Sequence, residues 1–243
     1  MDFPVNTPQG LNHLVQHNTS SVITFGDTIG WVDLHRGIVL CDILGDKLSL
    51  QGVTVPLPPK DASLPSSRYT RGISFINGRL RFVDLEVEII QLDGHDKETG
   101  WPSSRVESWT ITTWSNTNMT SSINDWHEDF TLRASQISVG DYTESELPLS
   151  LQDGSHDEAK VEQRGLQNLF VSDPCFGMNA SDDDGDILYL TARVKFLHPK
   201  SWVLAIDMKN QRVHSVAKSS PLPVRPPSID STFCTCSISK CSN

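Results

Sequence analysis

The stretch RGISFINGRLRFVDLEVEII, residues 71–90, decides how the chain is read. Two runs rich in β-branched and aromatic residues flank Asn77 and Gly78, a pair that tolerates positive φ and marks a tight hairpin turn. A helix would need apolar residues recurring at a period near 3.6. Here the runs are short and often alternate, as strands do.

The same grammar extends outward in both directions. ILYLTARV (187–194) is another short run of this kind, and sustained helical periodicity is scarce. QGLNHLVQH (9–17) and a short piece around EAKVEQRGLQNL (158–169) are the helical exceptions expected. Turn chemistry divides the β region into units at about residues 22–59, 68–139 and 166–218, between an N-terminal segment 1–21 and a Pro/Ser/Cys-rich flexible tail 219–243. In the first unit GWVDL passes through HRG to IVLCDIL and on to VTVPLPP. In the second the Asn77–Gly78 hairpin is followed by a polar loop, then SWTITTW and WHEDFTLRASQI. In the third GDILYLTARV leads through FLHPKS to WVLAIDM, and KNQ returns the chain as RVHSVAK.

A partial repeat supports this division. LCDIL (40–44) and AIDMK (205–209) each place Asp where an apolar strand meets a turn, so that a carboxylate can accept the N–H groups the turn leaves unpaired. WVDL (31–34) and FVDL (82–85) echo the pattern. The fold class that follows is mainly β: repeated antiparallel meanders forming part of a β-propeller-like domain, with a β-sandwich as the alternative.

Composition bounds the partners. Twenty Lys and Arg against 30 Asp and Glu give a net charge of −10, and no two basic residues adjoin, so nucleic acid is not an expected partner. No apolar stretch is long enough to cross a bilayer, and MDFPVNTPQG has no basic region leading into an apolar core, so the expectation is no membrane and a cytoplasmic or nuclear location. The sequons at Asn18, Asn118 and Asn179 then read as chance matches. Cys41 and Cys175 read as small buried or loop residues; Cys234, Cys236 and Cys241 lack a CxxC knuckle and a nearby His, and Cys241 is too close to the end for prenylation.

Catalytic and metal motifs are weak. GxSxG, Walker and GxGxxG patterns are absent. HEDFT (127–131) starts like a zincin helix but lacks the second His, and reads as a solvated strand start. In SDDDGDILYL (181–190), Asp182 and Asp184 would suit a calcium loop centred on Gly185, but Ala180 and Thr191 fall at its first and closing ligand positions. Asp33, His35 and Arg36 suggest a locally bonded turn, with no nucleophile tied to them. No catalytic, cofactor-binding or metal residue is therefore assigned, and no cofactor is expected.

Tryptophan carries the stronger functional signal. Trp109 and Trp114 are five apart and point to opposite faces of a regular strand; Trp31 and Trp202 open apolar strands and read as core. Trp101 and Trp126 sit near loops and are the candidate partner contacts.

Taken in order, GWVDLHRGIVLCDIL with the later VPLP, RGISFINGRLRFVDLE, SWTITTWSN followed by Trp126, DILYLTARV and SWVLAIDMKN give the chain a resemblance to the plant domain of unknown function 1618 family, which is expanded in grasses and sometimes follows an F-box. The resemblance spans about residues 22–218. It implies a β-rich, propeller-like scaffold and names no reaction. His35 stands where relatives usually carry Trp, no F-box-like segment precedes the domain, and relatives have a longer N-terminal β region, so the expectation is a shortened member or the product of a truncated gene. An open propeller of about three blades would expose two edges and an apolar flank, favouring self-association through open β edges or completion by another chain; a closed sandwich would not.

The function expected is a noncatalytic protein-interaction module with an unidentified protein partner, and the family association suggests a substrate-recognition scaffold. The alternatives are a carbohydrate-binding protein or an enzyme with a site assembled from distant loops, or a truncated chain without an independent role.

Overall fold

The computed structural model describes residues 17–45, 50–57, 67–119, 122–140, 165–177 and 186–219. Among them the chain runs as three successive four-stranded antiparallel sheets. The first holds β1 (Ser21–Phe25), β2 (Thr28–Asp33), β3 (Gly37–Asp42) and β4 (Leu50–Thr54). The second holds β5 (Arg71–Ile76), β6 (Arg79–His95), β7 (Pro102–Asn116) and β8 (His127–Arg133). The third holds β9 (Phe170–Phe176), β10 (Ile187–Arg193), β11 (Ser201–Asp207) and β12 (Arg212–Ser219). Each sheet keeps chain order from its first strand to its last, so each is a meander. The protein is mainly β, built of three repeated antiparallel units, none of them closed.

The hairpin that decided the reading is built as its residues require. Asn77 and Gly78 take φ of 51° and 75°, and Ile76 pairs directly with Arg79. Two consecutive positive-φ residues give the turn the twist of its flanking strands. An added Cβ at Gly78 would meet nothing within 4 Å, so glycine serves the backbone angle there and not a close approach.

β6 explains the stacking. Along Leu80–Leu85 both faces are buried. Leu80 and Phe82 join Val32, Ile38, Leu40 and Val53 of the first sheet in one core. Val83 and Leu85, with Trp109 and Ile111 of β7, join Leu188, Leu190, Leu204 and Ile206 of the third sheet in another. Strand alternation sends successive residues to opposite faces, so the second sheet is the filling between two cores. Trp109 and Trp114 divide in the same way, Trp109 into the core with the third sheet and Trp114 against the core with the first. The first strands of the second and third sheets nearly touch: a Cβ on Gly72 would lie 2.2 Å from the Pro174 carbonyl oxygen, so any side chain there would force the sheets apart.

Each face of β6 also carries one buried charge. Asp84 accepts from Arg71 Nε at 2.8 Å, and the same guanidinium donates from Nη1 to the Leu34 carbonyl of the first sheet at 3.1 Å. Arg81 points the other way, 3.2 Å from Asp186 and 3.9 Å from Asp129, with its guanidinium 4.6 Å from the Phe176 ring centre. A charge taken out of water needs such partners to be tolerated.

The turn aspartates behave as the repeat suggested, with one exception. Asp33 accepts from the His35 and Arg36 amides, Asp42 from those of Leu44 and Gly45, and Asp207 from that of Asn210. Burial would raise the Asp207 pKa, but hydrogen bonds from Asn210 and Arg212 outweigh it and hold the carboxyl below its ordinary value. Asp84 departs from the pattern because it lies mid-strand, where no turn amide is near, and it pairs with Arg71 instead.

Several expectations need correction. The polar loop after residue 90 is strand: β6 and β7 pair out to His95 and Pro102, with bulges between Glu88 and Ile89 and again before His95. β1 and β9 are further strands; β9 contains Pro174, which suits an edge strand, and β9 is the edge of its sheet. Trp31 is not core but half-buried on the far face of the first sheet, whereas Trp202 is core. Of the expected helices, residues 9–16 and 158–164 lie outside the described residues, and Leu166–Asn168 forms a 3-10 turn. The acidic run 181–185 and the cysteine-rich tail also lie outside them. No helix among the described residues is long and apolar enough to cross a membrane.

Candidate functional site

The two tryptophans singled out as partner contacts have different environments. Trp126 is only 7% exposed, its indole N–H donates to the Thr54 carbonyl at 2.6 Å, and its ring meets Phe82 edge-on at 6.1 Å. It is buried where the first and second sheets meet. Trp101 is 51% exposed and stands at the end of a projecting ribbon.

That ribbon is the outer half of the β6–β7 pair. β5 flanks β6 only as far as Asp84, and beyond it β6 pairs with β7 alone. Its base is tied to the core by Val87 and Val106. Its tip is clasped to the segment after β10. Lys195 Nζ lies 2.7 Å from Asp96 and 2.9 Å from Glu98, while Trp101 packs edge-on against Phe196, which packs edge-on against Phe170. Asp96 also accepts from the Glu98 and Thr99 amides and the Thr99 hydroxyl, which shapes the tip.

These bonds set the clasp's pH range. The Lys195 hydrogen bond, followed by that of the Thr99 amide, holds Asp96 far below the ordinary carboxylate value of 3.8. Burial would lower the Lys195 pKa, but Asp96 and Glu98 outweigh it and raise the ammonium above 10.5. A depressed carboxylate stabilises the clasp above its unfolded pKa and loses that contribution as pH falls through the folded value; a raised ammonium stabilises it below its unfolded pKa and loses it as pH rises through the folded value. Trp101 fluorescence is therefore expected to change as pH falls below the ordinary carboxylate range and as it rises above the ordinary ammonium range. Lys195→Ala should give the unclasped signal between those limits; a variant with the wild-type signal there would contradict the assignment.

A second surface lies on the far face of the first sheet. Strand pairing sets Val22 beside Trp31 and Trp31 beside Val39, and in the next row Ile29 beside Cys41 and Cys41 beside Leu50. Their neighbours Val32, Ile38 and Leu40 fill the core on the opposite face. Val22 is 48% and Leu50 43% exposed, and Ile29, Trp31 and Val39 are half-buried. No described element packs on this face.

Asp33, His35 and Arg36 form a turn, with the Asp33 carboxylate taking the His35 amide at 2.9 Å and the Arg36 guanidinium at 3.3 Å. His127 begins a strand, in line with the strand-start reading of HEDFT. Among the described residues no group of three His, Cys, Asp or Glu side chains is arranged to hold a metal ion.

The model of the family described as protein of unknown function (DUF1618) matches residues 31–189, from the tryptophan of β2 into β10. The chain belongs to this family. The match covers the whole second sheet, while part of the core on its third-sheet side, Leu190, Leu204 and Ile206, lies beyond it. No curated protein matches the chain.

Proposed function

We propose that this member of the family is a noncatalytic protein-interaction module, and that the far face of its first sheet binds a second copy of the chain. The observation that carries this reading is the pair of apolar rows Val22–Trp31–Val39 and Ile29–Cys41–Leu50, in which Cys41 is buried and the rest half-buried or exposed, on a face where no described element packs and whose other side is core. Within the chain, sheet stacks on sheet through branched and aromatic side chains. Among the described residues no sheet stacks on the outer face of the third sheet, which bears Tyr189, Val203, the buried Ala205 and Ala217 in paired positions. A second copy can set that face on the first sheet and continue the stack head to tail, either closing as a pair or running on.

Light scattering over a range of protein concentrations tests the proposal. The expected result is a mass that rises with concentration, and a mass fixed at one chain when Trp31→Glu and Val39→Glu are combined. A far-UV spectrum unchanged by the two substitutions separates loss of association from loss of fold. A wild-type protein that stays a single chain throughout would overturn the proposal.

A further inference from the structure

The ribbon presents a different kind of surface. From Glu86 to Leu92, β6 pairs with β7 on one side, and among the described residues no strand pairs with it on the other. Every residue from Glu88 to His95 is exposed, with Ile89 at 39%, Ile90 at 43% and Leu92 at 48%. A strand edge with apolar side chains and unpaired backbone groups is a template for another strand, and proteins that need to block one place Lys or Pro along it. β6 has neither between Glu86 and His95.

Its charges favour one occupant over others. Glu86, Glu88 and Asp93 line this stretch, and among the described residues none lies within ion-pair distance of Lys or Arg; Glu88 accepts only from the Ser108 hydroxyl. Arg105, on the partner strand, is already bound to Glu107. A second copy of β6 would bring carboxylates against carboxylates, which is unfavourable between paired strands. The ribbon is held at its base by Val87 and Val106 and at its tip by Lys195, so the edge is ordered before anything binds and less entropy is lost on binding.

We propose that the Glu86–Leu92 edge of β6 takes up an extended segment of a partner protein as an added strand, one that alternates branched apolar residues with Lys or Arg. Backbone hydrogen bonds supply the pairing, Ile90 and Leu92 on one side and Ile89 on the other meet its apolar side chains, and the carboxylates meet its cations.

The test uses the full chain and a fluorescein-labelled heptapeptide alternating lysine and valine, followed by anisotropy. Binding is expected, weaker in high salt, and about tenfold weaker to the Glu86→Lys/Glu88→Lys variant, whose substitutions lie on an exposed strand and leave both cores untouched. The same peptide N-methylated at alternate residues keeps its charge but cannot pair as a strand, and it should not bind. Equal binding of the methylated peptide would show charge attraction alone and overturn the proposal. So would an unchanged affinity in the double variant, or no binding of the parent peptide.

Discussion

Replacing Arg71 by methionine is expected to be among the most damaging single changes on the surface between the first two sheets, although it touches no candidate binding residue. The Arg71 and Asp84 side chains are 1% and 3% exposed and 2.8 Å apart. Arg71→Met takes the guanidinium away from the buried Asp84 carboxylate and strips the Leu34 carbonyl of a donor. Breaking a buried pair from one side costs roughly 3–5 kcal/mol, because the remaining charge keeps its desolvation penalty and loses its partner. The double variant Arg71→Met/Asp84→Leu removes both charges and should recover most of that loss. Arg36→Ala offers the comparison: Arg36 is 33% exposed, and the buried Asp33 carboxylate keeps the Asn18, His35 and Arg36 amides when the guanidinium is lost, so the expected cost is well below that of Arg71→Met. Urea unfolding followed by tryptophan fluorescence gives all three values from the midpoint and slope. A cost below about 1 kcal/mol for Arg71→Met, or a double variant as unstable as the single, would contradict this account of the sheet joint.

What the sequence reveals depends on whether a residue's neighbours are near it in the chain. The Asn77–Gly78 turn and the aspartates at 33, 42 and 207 satisfy groups within three residues of themselves, so local grammar is enough to find them. The paired faces of β6 also show through the opposite placement of Trp109 and Trp114. Asp84 looks like a turn aspartate because FVDL resembles WVDL; only the register that brings Arg71 opposite it shows otherwise. The ribbon escapes notice for another reason. From Glu88 to His95 neither face is buried, so no alternation of apolar and polar residues is imposed, and a paired strand reads as a polar loop. β9 is masked by Asp173 and Pro174, which suit a turn. Asp173 takes a φ of 54° beside the bulge opposite Tyr189 and Thr191. Trp126 reads as a loop aromatic because its partners, Thr54 and Phe82, lie 72 and 44 positions away in the chain.

Trp109 brings this argument to its largest single-residue test in the second core. Its side chain is fully buried, and its indole N–H donates at 3.1 Å to the carbonyl of Leu166, in the 3-10 turn that leads into the third sheet. The ring therefore fills space between two sheets while its polar edge fixes the segment that joins them. Trp109→Ala removes both functions, leaving a large cavity and taking from the Leu166 carbonyl one of its two donors, the Leu169 amide remaining, and the expected cost is roughly 3–5 kcal/mol. Trp109→Phe keeps most of the volume and loses the hydrogen bond, so it should fall well short of that. Trp101→Ala sets the lower limit, because half of that ring already faces water and its loss opens no core; the expected cost is under about 1 kcal/mol. If Trp109→Ala and Trp101→Ala proved equally costly, the division between a core tryptophan and a ribbon tryptophan would be wrong. The order Trp109→Ala, Trp109→Phe, Trp101→Ala, read from urea midpoints, would instead show that the second and third sheets are joined through the buried face of β7 and that the ribbon can be altered without loosening them.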